Sequence, residues 1–340
     1  MQYIRVAGYL AVLFFMCGAS PEVSGIVVQP LDFQEETLSE TFIQHIEQLE
    51  SDGRHIYIRS ENPYIIKIDN EGRYLGKVAD IGFGPYLGKH IAAFALGPEF
   101  VAVTDRKNSV FFFRENALET YFSSSDYKSL YSFPFHNANS FGFYDNQLIL
   151  PALPESEAMA VLHRLDGSVQ RRLGKRQSQG LPDHLELHAF NAAFWIKGGD
   201  FWYCVFKFRP WVHQYDLDFN IKKKFEIQGE EVNLCEAHLF DESERGENPE
   251  IVPHFSDVKY FRGRLFVMCR GVLYDVDPDS GGTVQRYHFF GQGSDFEEVP
   301  PGERLTFFNF AFLETGDLVL SHPALLWNHD LWRADLKLNF

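Results

Sequence analysis

Five imidazoles recur at a common place in the chain. His45, His90, His136, His188 and His254 each stand about seven to ten residues ahead of a turn signal, at Asp52-Gly53, Gly97-Pro98, Asp145-Asn146, Gly198-Gly199 and Arg262-Gly263. Neutral imidazole is a common ligand for divalent metals. Several converging on one point could hold a cation that polarises a carbonyl or activates a water. His90, His136, His188 and His254 are therefore the candidate metal ligands. A divalent metal is the one cofactor these residues suggest, and a metal-assisted lyase or lactonase is the reaction class that would follow. The competing reading is a set of scattered hydrogen-bonding histidines, because the offsets differ in parity and one residue of register turns a strand side chain to the other face.

Other constellations are weaker. His184-Leu185-Glu186-Leu187-His188 spaces two imidazoles as a helix would need, but Pro182 and a loop-like setting argue against a helix, and the zinc-protease order of His followed directly by Glu is absent. Asp275, Asp277 and Asp279 alternate as calcium ligands can, yet Arg286 occupies the place of the bidentate Glu, so an acidic hairpin turn is the better reading. A polar rim of Glu61, Asp105, Arg106, Glu155, Arg209, Arg270 and His322 falls in the loops between second and third strands, and could orient a polar ligand. No nucleophile elbow, phosphate loop or dinucleotide fingerprint occurs in a strand-to-helix setting.

The elements that must position these residues repeat. The five turns above are joined by a sixth at Thr315-Gly316, spaced about 45 to 65 residues apart and flanked by β-branched and aromatic runs of strand length. The first repeat shows four strands, over 42–49, 54–59, 64–69 and 73–78. Its third strand ends in Lys67-Ile68-Asp69, and counterparts recur through Glu115, Asp166, Asp216, Asp275 and Asp335. An acidic residue suits that place because its carboxylate bonds amides two residues on. The predicted fold is all-β, a six-bladed propeller of four-stranded antiparallel blades. The last repeat supplies only three strands, so the extended segment Ile26 to Phe33 is expected to complete it and close the ring. The 34 Phe, including Phe111-Phe112-Phe113 and the Phe201-Trp202-Tyr203 run, are expected between the blades, with a carbohydrate-stacking platform as the alternative.

Arg5, the apolar run from Val6 to Met16 and the small residues Gly18, Ala19 and Ser20 read as a secretion signal over residues 1–20, leaving 21–340 as a single propeller domain. Cys17 offers a second processing route, acylation as a lipoprotein, which would be the chain's one membrane link. Cys204, Cys235 and Cys269 form no metal-binding pair. A Cys204 to Cys235 bridge is open but unforced. The net charge of −16 disfavours nucleic acid and anionic membranes as partners, and the basic runs at Arg171-Arg172 and Lys222-Lys223-Lys224 are expected on exposed outer strands.

The connections carry Gly82-Phe83-Gly84-Pro85, Gly174 with Gln179-Gly180-Leu181-Pro182, and Gly291-Gln292-Gly293. With Ile68-Asp69-Asn70-Glu71-Gly72-Arg73-Tyr74-Leu75-Gly76, they resemble the extracytoplasmic six-bladed propellers related to NHL-repeat proteins. The resemblance implies a secreted or periplasmic protein with a binding or scaffolding surface, and no defined reaction. Residues and resemblance together predict a binding or interaction module that acts through the face bearing the long blade connections. Its partner would be another protein, a glycan or a small polar ligand.

Overall fold

The computed structural model describes residues 22–31, 46–60, 62–81, 91–105, 109–114, 116–123, 142–144, 146–152, 156–177, 191–244, 253–291, 304–321 and 331–336. The expected signal segment, Cys17 and most of the connections between sheets lie outside these residues.

After an opening strand β1 (Glu22–Pro30), the chain lays down four separate antiparallel sheets of four strands each. The first holds β2 (Gln48–Ser51), β3 (His55–Arg59), β4 (Ile65–Asp69) and β5 (Tyr74–Val78). The second holds β6 (Ile91–Leu96), β7 (Val101–Asp105), β8 (Ser109–Arg114) and β9 (Ala117–Ser123). The third holds β10 (Gly142–Tyr144), β11 (Gln147–Pro151), β12 (Ala158–Arg164) and β13 (Val169–Lys175). The fourth holds β14 (Ala193–Gly198), β15 (Phe201–Phe206), β16 (Trp211–Tyr215) and β17 (Ile221–Glu226). A helix, α1 (Glu230–Glu244), follows.

The rest forms one nine-stranded sheet. Its first limb is β18 (Asp257–Phe261), β19 (Arg264–Cys269), β20 (Val272–Val276) and β21 (Thr283–Gly291), with the short β22 (Arg304–Leu305) beside β21. Its second limb is β23 (Asn309–Phe312), β24 (Asp317–Ser321) and β25 (Leu331–Asp335). Between the limbs lies β1, parallel to β21 from Glu22 to Val28 and antiparallel to β25 at Gln29 and Pro30. The expected pairing of the early segment with the last strands is present, and Leu31 N extends it to Leu331 O at 2.9 Å. The parallel pairing with β21 was not foreseen. It merges what the sequence reading treats as two blades into one continuous sheet.

The arrangement is propeller-like, and side-chain alternation explains it. Successive residues of a strand face opposite sides, so Phe111 and Phe113 pack toward the first sheet while Phe112 packs toward the third. Trp202 and Tyr203 divide in the same way between the third sheet and the β18–β21 limb. The other face of that limb packs Phe266 and Met268 against Phe310 and Trp332 of the second limb. The series closes where Ala311, Val319 and Leu331 meet Leu49, Ile56 and Ile66 of the first sheet. These aromatic runs are interior, as expected. Arg171, Arg172, Lys222 and Lys224 are exposed on the outermost strands β13 and β17.

Three details correct or refine the sequence reading. The segment after Gly229 is helical over α1, which buries Val232 and Cys235 in the core between the fourth sheet and the β18–β21 limb and buries Leu239 as well. Asp69, Asp166 and Asp216 close their hairpins as anticipated, accepting amide hydrogen bonds from Glu71, Ser168 and Asn220 at 2.8 to 2.9 Å. In the β20–β21 hairpin that role passes to Asp277, which accepts from the amides of Asp279 and Ser280, while Asp275 is buried beside Arg264. Cys204 lies in the core between the third and fourth sheets and Cys235 in the next core, so the bridge left open between them is not formed.

Candidate functional site

The first strand of each sheet runs toward the axis of the molecule. These strands touch in series, β2 with β6, β6 with β10, β10 with β14, β14 with β18, β18 with β23 and β23 with β2. Close approach here requires small residues: a Cβ at Gly142 of β10 would fall 2.7 Å from the carbonyl oxygen of Trp195 on β14. Where the strands end in their turns they surround a cavity of about 370 Å³. Tyr144, Lys197, Tyr260, Phe261 and Phe312 line it, with Gln48, Glu50, Asp257 and Lys259 on the polar side. It lies at the turn end of the first strands.

Its polar residues tie the sheets together across the axis. The Gln48 amide brackets the backbone of Phe94, donating from Nε2 to the carbonyl at 2.7 Å and accepting the Phe94 amide at 3.1 Å. Lys259 Nζ donates to Glu50 Oε1 at 2.7 Å and lies 3.1 Å from Asp257 Oδ1, while Asp257 Oδ2 accepts the Phe310 amide at 2.9 Å. Burial pushes the Asp257 carboxyl up to about 6, with Lys259 opposing the shift. Burial also works against the Lys259 charge, but Asp257 and Glu50 outweigh it and hold the ammonium above its ordinary range. At neutral pH the vestibule thus presents a bound cation between two carboxylates, walled by aromatic rings. Such a surface can stack on the C–H faces of a sugar and hydrogen-bond its hydroxyls, or bind another small polar solute.

A second group of buried charges adjoins the first, since Arg59 pairs with Gln48 across β2 and β3. Lys207, 4% exposed, sits 4.6 Å from the centre of the Phe194 ring. Burial pulls its ammonium down to about 7, partly countered by Asp257 and reinforced by Arg59. Arg59, wholly buried, pairs with Glu47 and donates to the carbonyl of Ile91 at 3.2 Å. Near them, His254 lies 2.8 Å through Nε2 from Glu236 Oε1, and Arg209 approaches the same oxygen at 3.4 Å. Burial lowers the His254 pKa, the Glu236 hydrogen bond opposes and Arg209 assists, so the ring is neutral at pH 7. The Nε2–H then donates to Glu236, and the buried Nδ1 is left as a bare lone pair with no partner among the described residues.

Of the metal-ligand candidates, only His254 lies within the described residues; His90, His136 and His188 do not. Among the described residues no three His, Cys, Asp or Glu side chains stand close enough to share a metal. Of the rim candidates, Glu61, Arg106, Glu155 and His322 lie outside the described residues. Asp105 is buried and accepts the Ser109 amide at 2.9 Å, closing the turn between β7 and β8. Arg209 lies over the Trp211 ring, 4.7 Å from its centre, and Arg270 is exposed in the tight turn after β19. The structure brings none of these three into the vestibule. Sequence reasoning missed Gln48, Glu50, Asp257, Lys259 and Lys207. One signal was present: polar residues interrupt the apolar pattern of first strands at Gln48, Glu50, Asp257 and Lys259. Nothing in linear sequence shows that strands about two hundred residues apart face one axis.

No protein-family model matches the chain, and no curated protein matches it. Solved structures do. A crystal structure named "Putative exported protein" from Bacteroides fragilis superposes with a TM-score of 0.58 at 9% identity, over 92% of this chain and 99% of that one. A structure of U3-55K superposes with a TM-score of 0.51 at 13% identity, over 91% and 98%. At such identities the likeness shows the fold alone. With 1278 solved chains matching, shape by itself selects no activity.

Proposed function

We propose that this chain is an exported six-bladed propeller that serves as a binding module, with the axial vestibule as the site for a glycan or small polar ligand. The six-blade count treats the nine-stranded sheet as two blades joined through β1, and the serial contact of six first strands supports it. The N-terminal charge and apolar pattern supports export. The observation that carries the binding role is the vestibule itself, where aromatic walls meet the Glu50–Lys259–Asp257 group in a cavity large enough for one sugar ring. Tyr144, nearly half exposed at the mouth, is the wall residue most available to a ligand. A screen of oligosaccharides and polar metabolites by thermal shift should find a stabilising ligand, and Tyr144→Ala should weaken its binding about tenfold, read against that variant's own unliganded melting point. A screen without a stabilising ligand, or one whose ligand ignores Tyr144→Ala, removes the vestibule as the site.

A metal-assisted lyase or lactonase is the second reading, favoured by one feature: Glu236 orients His254 through Nε2 while its Nδ1 carries a free lone pair, the arrangement of a metal-binding imidazole backed by a carboxylate. Metal analysis of the purified protein decides it. This reading requires a stoichiometric divalent ion that is lost in His254→Ala. A metal-free protein that does not take up zinc or manganese excludes it.

A further inference from the structure

Cys235 and Cys269 are 34 residues apart in sequence (269 − 235) and meet in the core between the fourth sheet and the β18–β21 limb. Cys235 stands on the buried face of α1, and Cys269 ends β19. Both are at most 3% exposed within that one core, and their thiols lie near enough to shift each other's ionisation. We propose that these two side chains form a redox clasp, a disulfide that ties α1 to the β18–β21 limb when the protein resides in an oxidising compartment. The compartment rests on the export reading; the chemistry does not.

The pair is asymmetric in a way that suits exchange. The Cys269 S–H supports charge on the Cys235 sulfur and the neighbouring Arg270 adds to it, so Cys235 ionises below the ordinary thiol range and Cys269 well above it. Cys235 thiolate attacks the disulfide of an oxidant, glutathione disulfide or an oxidised dithiol oxidoreductase, and expels one thiol. Cys269, after losing its proton, attacks the mixed disulfide and expels the second. The pair gives up two electrons and two protons, and the oxidant becomes two thiols. Burial confines this exchange to folding or to moments when α1 lifts. The clasp would also steady Glu236 on α1, and through it His254.

The test equilibrates the wild-type chain through unfolding and refolding in a glutathione and glutathione disulfide buffer. It then alkylates free thiols in denaturant and maps peptides without reduction. Cys204, in a different core, serves as the internal control. The expected result is one linked peptide joining Cys235 to Cys269 with Cys204 alkylated. The unfolding midpoint should also lie roughly 3–8 °C above that of the reduced chain, a shift absent in Cys235→Ser. Cys235 and Cys269 both alkylated, or either one linked to Cys204 or Cys17, overturns the proposal, and neither result bears on whether the vestibule binds a ligand.

Discussion

Lys207 and Asp257 hold opposite charges in the interior, and burial drives their ionisations toward each other, to about 7 and about 6. The consequences for stability run in opposite pH windows. Lys207 has a folded pKa below its ordinary 10.5, so the unfolded chain holds more protons between pH 7 and 10.5 and stability rises with pH there; below pH 7 the full cost of the buried charge remains. Asp257 has a folded pKa above its ordinary 3.8, so its contribution is full below about pH 4 and lost as pH rises through 6. Lys207→Met removes this pH dependence, so its stability relative to wild type should improve as pH falls from 10 toward 7, the advantage shrinking toward pH 10. Urea unfolding at pH 6, 8 and 10 checks this, and an advantage that grows with pH contradicts it.

Strand β1 shows how one element decides the closure of several. Its hydrogen bonds run to β21 on one edge and to β25 on the other, so neither limb of the nine-stranded sheet is left with an exposed edge at the join. Val28 is fully buried in the core shared by both limbs, whereas its neighbour Val27 points outward at 60% exposure. Val28→Asp places an unpaired carboxylate in that core and should cost roughly 3–5 kcal/mol. Amide exchange should accelerate first in β21 and β25. Val27→Asp, one residue away on the solvent face, should leave both strands protected, and equal effects from the two substitutions would mean that β1 does not join the limbs. The hairpins are simpler elements. Asp69, Asp166 and Asp216 each satisfy their own turn amides, which is why a short acidic signature located them from sequence.

At the scale of the whole molecule, what could be read from sequence was local and periodic. Alternating apolar residues, acidic turn closures and the Gly-containing first turns are set by backbone geometry within a few residues, so strands β3, β4 and β5 match their expected ranges to within one residue at each end. Helix α1 escaped because its apolar residues are interleaved with polar and acidic ones around the helix, and only packing against neighbouring elements singles out Val232, Cys235 and Leu239 for burial. The vestibule escaped for a different reason. Gln48, Glu50, Asp257 and Lys259 become one site only because the twisted sheets turn through a circle and bring β2 and β18 to a shared axis. The sequence by itself determined the strands, their hairpins and the early segment needed at the end of the chain, since each follows from short-range hydrogen bonding and two-residue alternation. Only the tertiary structure decided which charges meet, which cysteines share a core and which edge β1 covers. Those depend on distances between segments far apart in the chain, and packing sets them.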